Sequence, residues 1–145
     1  MDFKLELVLI PVSDVDRAKD FYTQTVGFRL EVDGMANEGG RIVQVTPPGS
    51  ACSIGFGSGL SLDTEPLVTA RPGSQRGLHL AVSDLAEARD ELIARGADVG
   101  EIRHVSDGEW RAGLDPNRSS YMSFAEFSDP DGNLWLLQEV RRDGE

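Results

Sequence analysis

One stretch of this chain occurs twice. Val12-Ser13-Asp14-Val15-Asp16-Arg17-Ala18-Lys19-Asp20-Phe21-Tyr22 returns in degenerate form as Val82-Ser83-Asp84-Leu85-Ala86-Glu87-Ala88-Arg89-Asp90-Glu91-Leu92. In each copy an alternating apolar run leads into Ser-Asp, then a segment with apolar residues three, four and seven apart, then Gly and another apolar run. The period changes from 2 to 3.6 at the same place both times, which predicts strand, Asp-capped helix, strand. Two copies are too few for a solenoid, so the expectation is one domain built from paired modules.

Residues 5–12 predict a first strand, Ser13 or Asp14 a helix cap, and Val15, Ala18, Phe21, Tyr22 and Thr25 the helix's inward stripe, with Gly27 as its stop. Residues 28–32 predict a strand, Asp33-Gly34 a loop running through Asn37 and Gly39-Gly40, and residues 41–46 and 51–57 two more strands. The periodicity then fades into a linker with a short structured piece around Leu60 to Leu67. The second module repeats the plan. Residues 77–82 predict a strand, Leu85, Ala88, Leu92 and Ile93 a helical stripe, and residues 97–104 a strand. A long, functional loop is expected over 105–120, then strands over 121–128 and 133–140, joined at the Asp129-Pro130-Asp131-Gly132 turn. The fold class is α+β: a single domain over 1–145, with tandem βαβββ modules at about 1–57 and 76–141 and a linker at about 58–75.

Composition narrows the partners. The net charge of −11, from 14 basic and 25 acidic residues, argues against nucleic acid or an anionic membrane surface. No run approaches the roughly eighteen apolar residues of a membrane span, and the start of the chain lacks a secretory pattern, which predicts a cytoplasmic protein. The single cysteine, Cys52, excludes an internal disulfide and sits in an apolar run as a small hydrophobe.

The duplicated plan, the Val-Ser-Asp-Val-Asp-Arg-Ala-Lys-Asp-Phe-Tyr stretch at 12–22 and Phe-Ser-Asp-Pro-Asp-Gly-Asn-Leu-Trp-Leu-Leu at 127–137 resemble the vicinal oxygen chelate superfamily. That superfamily includes glyoxalase I, bleomycin resistance proteins, fosfomycin resistance enzymes and extradiol dioxygenases. The resemblance implies modules whose sheets form a curved mixed sheet around a cavity, completed in a homodimer. In metal-bearing members a ligand precedes each helix-capping Asp, and a glutamate follows the Asp-Pro-Asp-Gly turn. Those positions fall here on Leu7, Gly77 and Leu136, none of which offers a lone pair. The pattern is similar to the bleomycin-resistance branch, and implies ligand binding with no metal and no cofactor.

Strand parity sets His79 and Gln138 on the same side as Leu136, with Leu5, Leu7 and Leu9 as further cavity-facing residues. The expected ligand-binding set is Leu7, Leu9, His79, Trp110, Leu136 and Gln138, and the expected ligand a small apolar or aromatic molecule. Trp110, with Arg111 and Arg118 nearby, would close over a flat ligand from the long loop, or equally cover the sheet rim or meet a second subunit. Trp135 is expected in the core and His104 exposed at a strand end. His79 and Glu126 are the catalytic candidates. His79 is read either as a partly buried histidine satisfied by a neighbour or as a ligand contact, and Glu126 as an outward charge on an alternating strand. Two alternatives stay open: a metal-dependent or His-assisted lyase, isomerase or dioxygenase using His79 with Glu126 or Glu139, and a structural module with a filled cavity.

Overall fold

The computed structural model describes residues 1–36 and 39–142. Asn37, expected in the first loop, lies outside the described residues. The chain divides into two compact units: Met1–Gln75 with Asp129–Asn133, and Arg76–Ser128 with Leu134–Glu145.

In unit 1, β1 (Leu7–Leu9) leads to α1 (Val15–Asp20), which continues as a π turn over Phe21–Thr25, then β2 (Arg29–Met35), β3 (Arg41–Thr46) and β4 (Ser53–Ser58). Asp14 starts the helix: its backbone is extended and its carboxylate accepts the Arg17 amide at 3.0 Å, satisfying one of the unpaired amides of a first turn. Ala18 and Tyr22 are the fully buried members of the expected stripe. Tyr22 packs on Phe28 and Phe56, with ring centroids 5.8 and 5.6 Å away, and with Val43, Val45 and Ile54 these residues form the core. The strand order is β1-β4-β3-β2, with β1 parallel to β4 and the other pairs antiparallel.

Two expectations change in unit 1. β1 is shorter than the predicted residues 5–12: Leu5 and Glu6 are exposed at its start, and Pro11, which has no amide hydrogen for the ladder, lies just past its end. β2 runs past Asp33-Gly34 instead of turning there. Asp33 is held by both Arg41 (3.0 Å from Nε and from Nη2) and Lys19 (2.7 Å), which carries the strand on to Met35. The Arg41 hydrogen bonds, then that of Lys19, keep the Asp33 carboxyl well below its ordinary pKa. The segment after β4 forms a small hairpin, β5 (Ser61–Leu62) with β6 (Glu65–Pro66), within the stretch expected to be structured.

The Asp129–Asn133 turn belongs to unit 1 and is bound there through side chains. Asp129, 5% exposed, accepts Tyr22 Oη at 2.8 Å, Asn133 Nδ2 at 2.8 Å and the amides of Asp131 and Asn133 at 3.0 and 2.9 Å. Asn133 Nδ2 also donates to the Pro11 carbonyl at 2.7 Å, and Asp131 accepts the Ser13 amide and hydroxyl and Arg17 Nη2. The Asp-Pro-Asp-Gly-Asn run is therefore a clasp on the entry to α1 as well as a turn.

Unit 2 contains β7 (Leu78–Val82), α2 (Leu85–Ala94), β8 (Arg103–Ser106), β9 (Glu109–Ala112), β10 (Ser123–Ser128) and β11 (Leu134–Glu139). Asp84 caps α2 as Asp14 caps α1, accepting the Glu87 amide at 3.0 Å. Gly96, at φ +100°, ends the helix in a left-handed residue that glycine adopts without strain. The order is β7-β11-β10-β8-β9, with only β7 and β11 parallel. Trp135, Leu137 and Glu139 face α2, and Trp135 stacks on Phe127 with centroids 5.9 Å apart.

The predicted long loop is in part a hairpin. Asp107 and Gly108, at φ 52° and 76°, form a two-residue turn with both residues left-handed, the geometry that matches the twist of paired strands, and β9 returns along β8. Ile93 does not join the helical stripe; it is 42% exposed. His104 is not exposed. It lies on the helix-facing parity of β8 opposite Ser123, is 6% exposed, and its Nδ1 is 2.7 Å from the Gly113 carbonyl. Among the described residues no helix is long and apolar enough to cross a membrane.

Candidate functional site

Alternation along five strands builds the site. Residues whose neighbours in sequence face α2 must themselves face away from it. On β7 these are His79 and Ala81; on β11 Leu136 and Gln138; on β10 Phe124 and Glu126; on β8 Arg103; on β9 Trp110 and Ala112. Register carries them into rows: Ala81, Gln138, Phe124, Arg103 and Ala112 in one, His79, Leu136 and Glu126 in the next. No helix of unit 2 covers this face, and Phe124, Glu126, Leu136 and Gln138 are half-buried while His79 and Trp110 are exposed.

The aromatic residues form a shelf. Phe124 sits between Trp110, edge-on with centroids 5.4 Å apart, and His79, edge-on at 6.4 Å. The guanidinium carbon of Arg103 lies 5.0 Å from the Trp110 centroid, a cation–π geometry, and Arg103 Nη2 donates to Glu126 Oε2 at 3.2 Å. Beside the shelf is a cavity of about 330 Å³ lined by Gly100, Arg103, Trp110, Ala112 and Glu126 among others. Trp110, though 56% exposed, is fixed by pairing of β9 with β8 and by its contacts to Phe124 and Arg103.

Of the expected ligand-binding residues, His79, Trp110, Leu136 and Gln138 come together on this face. Leu7 and Leu9 belong to unit 1, where they pack with Ile42 over Gly55 on the side of the sheet away from α1. Gln138 is engaged through Nε2 to the Tyr121 carbonyl at 3.2 Å. Arg118 and Arg111, expected near Trp110, are spoken for: Arg118 binds Glu139 through Nε and Nη2 at 2.7 and 2.8 Å, and Arg111 binds Glu109 at 3.2 Å. Arg103 is the arginine at Trp110. It and Phe124 were not singled out in the sequence; their alternation with buried neighbours was visible there, but the pairing that brings them to Trp110 was not.

The catalytic candidates do not meet. Leu136 separates His79 from Glu126 in the register, so their backbones are two strand spacings, roughly 10 Å, apart. His79 Nδ1 is 3.1 Å from the Gly77 carbonyl, and Glu126 is paired with Arg103. Glu139 lies on the opposite face, fully buried, accepting the Leu85 amide at 2.9 Å as well as Arg118. The Arg118 hydrogen bonds, followed by that of the Leu85 amide, lower the Glu139 pKa against the rise that burial causes. Among the described residues no three His, Cys, Asp or Glu side chains are grouped to hold a metal ion. Leu7, Gly77 and Leu136, where the resemblance puts metal ligands, carry hydrocarbon or no side chain and offer no donor atom to a metal ion.

The chain is similar to the antibiotic-binding protein TnmS3 of Streptomyces sp. CB03234, at 33% identity and TM-score 0.70 over 96% of this chain and 97% of that one. It is also similar to a glyoxalase/bleomycin resistance protein of the same organism, at 34% identity and TM-score 0.67 over 93% and 99%. The uncharacterized protein YetH of Bacillus subtilis (strain 168) is 23% identical over 91% of this chain and 94% of its own. Residues 4–137 match the family model, and the chain belongs to the Glyoxalase/Bleomycin resistance protein/Dioxygenase superfamily.

Proposed function

We propose that this protein is a cytoplasmic binding protein that sequesters a small, flat, aromatic molecule on the open face of unit 2, without metal, cofactor or chemical turnover. The observation that carries this reading is the aromatic shelf His79–Phe124–Trp110, an apolar surface fixed on strands and left uncovered by the helix. An exposed tryptophan resting on a half-buried phenylalanine leaves apolar surface in water, and such a patch marks an interaction surface. A flat ring laid against them gains area burial and edge or stacking contacts with little loss of side-chain freedom, since the rings are already fixed. The antibiotic-binding relative supports the ligand class. In this reading the protein acts as a homodimer, and the exposed Met1, Phe3 and Leu5 of unit 1 are the surface that a second copy covers.

Intrinsic fluorescence tests it, because Trp110 is exposed and Trp135 is 2% exposed. Titration with a panel of polycyclic aromatic antibiotics is expected to give saturable quenching that disappears in Trp110→Leu. Absence of quenching across the panel, or quenching unchanged in that variant, overturns the assignment of the site. Zinc, nickel, manganese or iron bound stoichiometrically, with affinity lost in His79→Ala, overturns the non-catalytic reading instead.

A further inference from the structure

The polar end of the shelf specifies more than flatness. Arg103 and Glu126 are joined by one hydrogen bond of 3.2 Å, and their side chains are 45% and 43% exposed. A guanidinium has five N–H donors and a carboxylate two acceptor oxygens. Among the described residues only Nη2 and Oε2 of this pair are engaged with each other; the remaining Arg103 donors and Glu126 Oε1 make no other hydrogen bond. The pair therefore presents a donor next to an acceptor at the cavity mouth, beside the Trp110 ring on which Arg103 rests. Gly100 keeps this side of Glu126 uncovered: its amide donates to the Glu126 carbonyl at 2.8 Å, and a Cβ there would lie 3.4 Å from Glu126 Cγ.

Resting on the aromatic-binding reading, we infer that the ligand is a neutral planar lactam or amide, whose N–H and C=O share one edge. The N–H donates to Glu126, the carbonyl accepts from Arg103, and the fused rings lie on Trp110 and Phe124. Neutrality follows from the charges. A ligand carboxylate satisfies Arg103 but faces Glu126, and the net charge of −11 disfavours it at long range. A ligand ammonium satisfies Glu126 but faces Arg103. A cis-amide edge satisfies both, leaves the ion pair intact and brings no charge out of water.

The probes are phenanthridin-6(5H)-one, its 5-methyl derivative and phenanthridine, titrated calorimetrically against the full-length protein. The lactam is expected to bind about tenfold more tightly than either of the others, the worth of a partly exposed hydrogen bond to a charged group. In Glu126→Met and in Arg103→Met, both exposed enough to fold normally by circular dichroism, the three affinities converge. Equal affinities in the wild type overturn the lactam inference while leaving aromatic binding standing. A preference that survives both substitutions also overturns it, because the edge is then read elsewhere. Phenanthridine matching the lactam, with only the methyl derivative weak, reduces the effect to bulk and overturns it too. If none of the three binds and Trp110 is not quenched, the aromatic-binding reading falls and the inference with it.

Discussion

The sheet of unit 1, β1-β4-β3-β2, and four strands of unit 2, β7-β11-β10-β8, run in the same order with the same single parallel pair, and both helices start at an Asp after Ser. The faces turned away from the helices differ. In unit 1 it carries Leu7, Leu9, Ile42 and Gly55, which pack against one another. In unit 2 the equivalent side carries His79, Phe124, Trp110, Arg103 and Glu126. Helix-facing positions build the core in both units, whereas the opposite faces carry different chemistry. The buried carboxylates differ too: Asp129 of unit 1 accepts from four neutral donors, Glu139 of unit 2 from an arginine and one backbone amide.

That last contrast gives the largest expected effects. Asp129→Ala leaves the Tyr22 hydroxyl, the Asn133 side chain and two amides without this acceptor, and is expected to cost about 4 kcal/mol in urea unfolding. A loss under about 1 kcal/mol means water replaces the carboxylate and the clasp is not what holds the entry to α1. Glu139→Gln is expected to cost less, about 2 kcal/mol at pH 7, because the amide oxygen still accepts from Leu85. Its effect depends on pH, with a definite sign. Arg118 and the Leu85 amide lower the folded pKa of Glu139 from 4.5, so its carboxylate stabilises the fold above that value and the contribution fades as pH falls through the folded pKa. The gap between wild type and Glu139→Gln should therefore shrink in unfolding midpoints measured from pH 6 down to pH 3. A gap that is constant or widens on acidification breaks the contrast between a charge-held and a dipole-held unit.

Much of the fold was legible because it rests on local rules. Ser13-Asp14 and Ser83-Asp84 declare their helices through capping chemistry, and the alternation of 134–139 gives the two faces of β11. What stayed hidden depended on partners distant in sequence. The chain between Val105 and Ser120 reads as a loop with Asp107-Gly108 among its turns, and only the pairing of β9 with β8 makes Trp110 a strand residue. Arg103 and Phe124 reach Trp110 through cross-strand register, which no local pattern states. His104 ends a strand in the local pattern and is buried only because β9 extends the sheet beyond β8, a pairing that no local pattern states. Glu139 was a candidate carboxylate partner of His79; its burial against Leu85 and Arg118 makes it part of the scaffold.

Smaller effects test whether the two faces are as different as their residues. Trp110→Leu removes an exposed ring and should cost under about 1 kcal/mol in stability while abolishing ligand quenching; a larger cost makes Trp110 a packing residue of the hairpin first and a contact second. The mildest change is Gly55→Ala in unit 1. A Cβ at Gly55 would lie 3.0 Å from Leu7 Cδ1, 3.2 Å from Leu9 Cδ2 and 3.4 Å from Ile42 Cδ1, all ends of side chains on a half-buried face. Small rotations of those leucines relieve the contact, and the unfolded chain loses freedom, so the net change should lie within about 0.5 kcal/mol of zero by urea unfolding. A cost above about 2 kcal/mol means instead that Leu7, Leu9 and Ile42 cannot move. The face of unit 1 turned away from α1 is then a second packed layer, in contrast to the aromatic face of unit 2, where Trp110 and His79 are exposed.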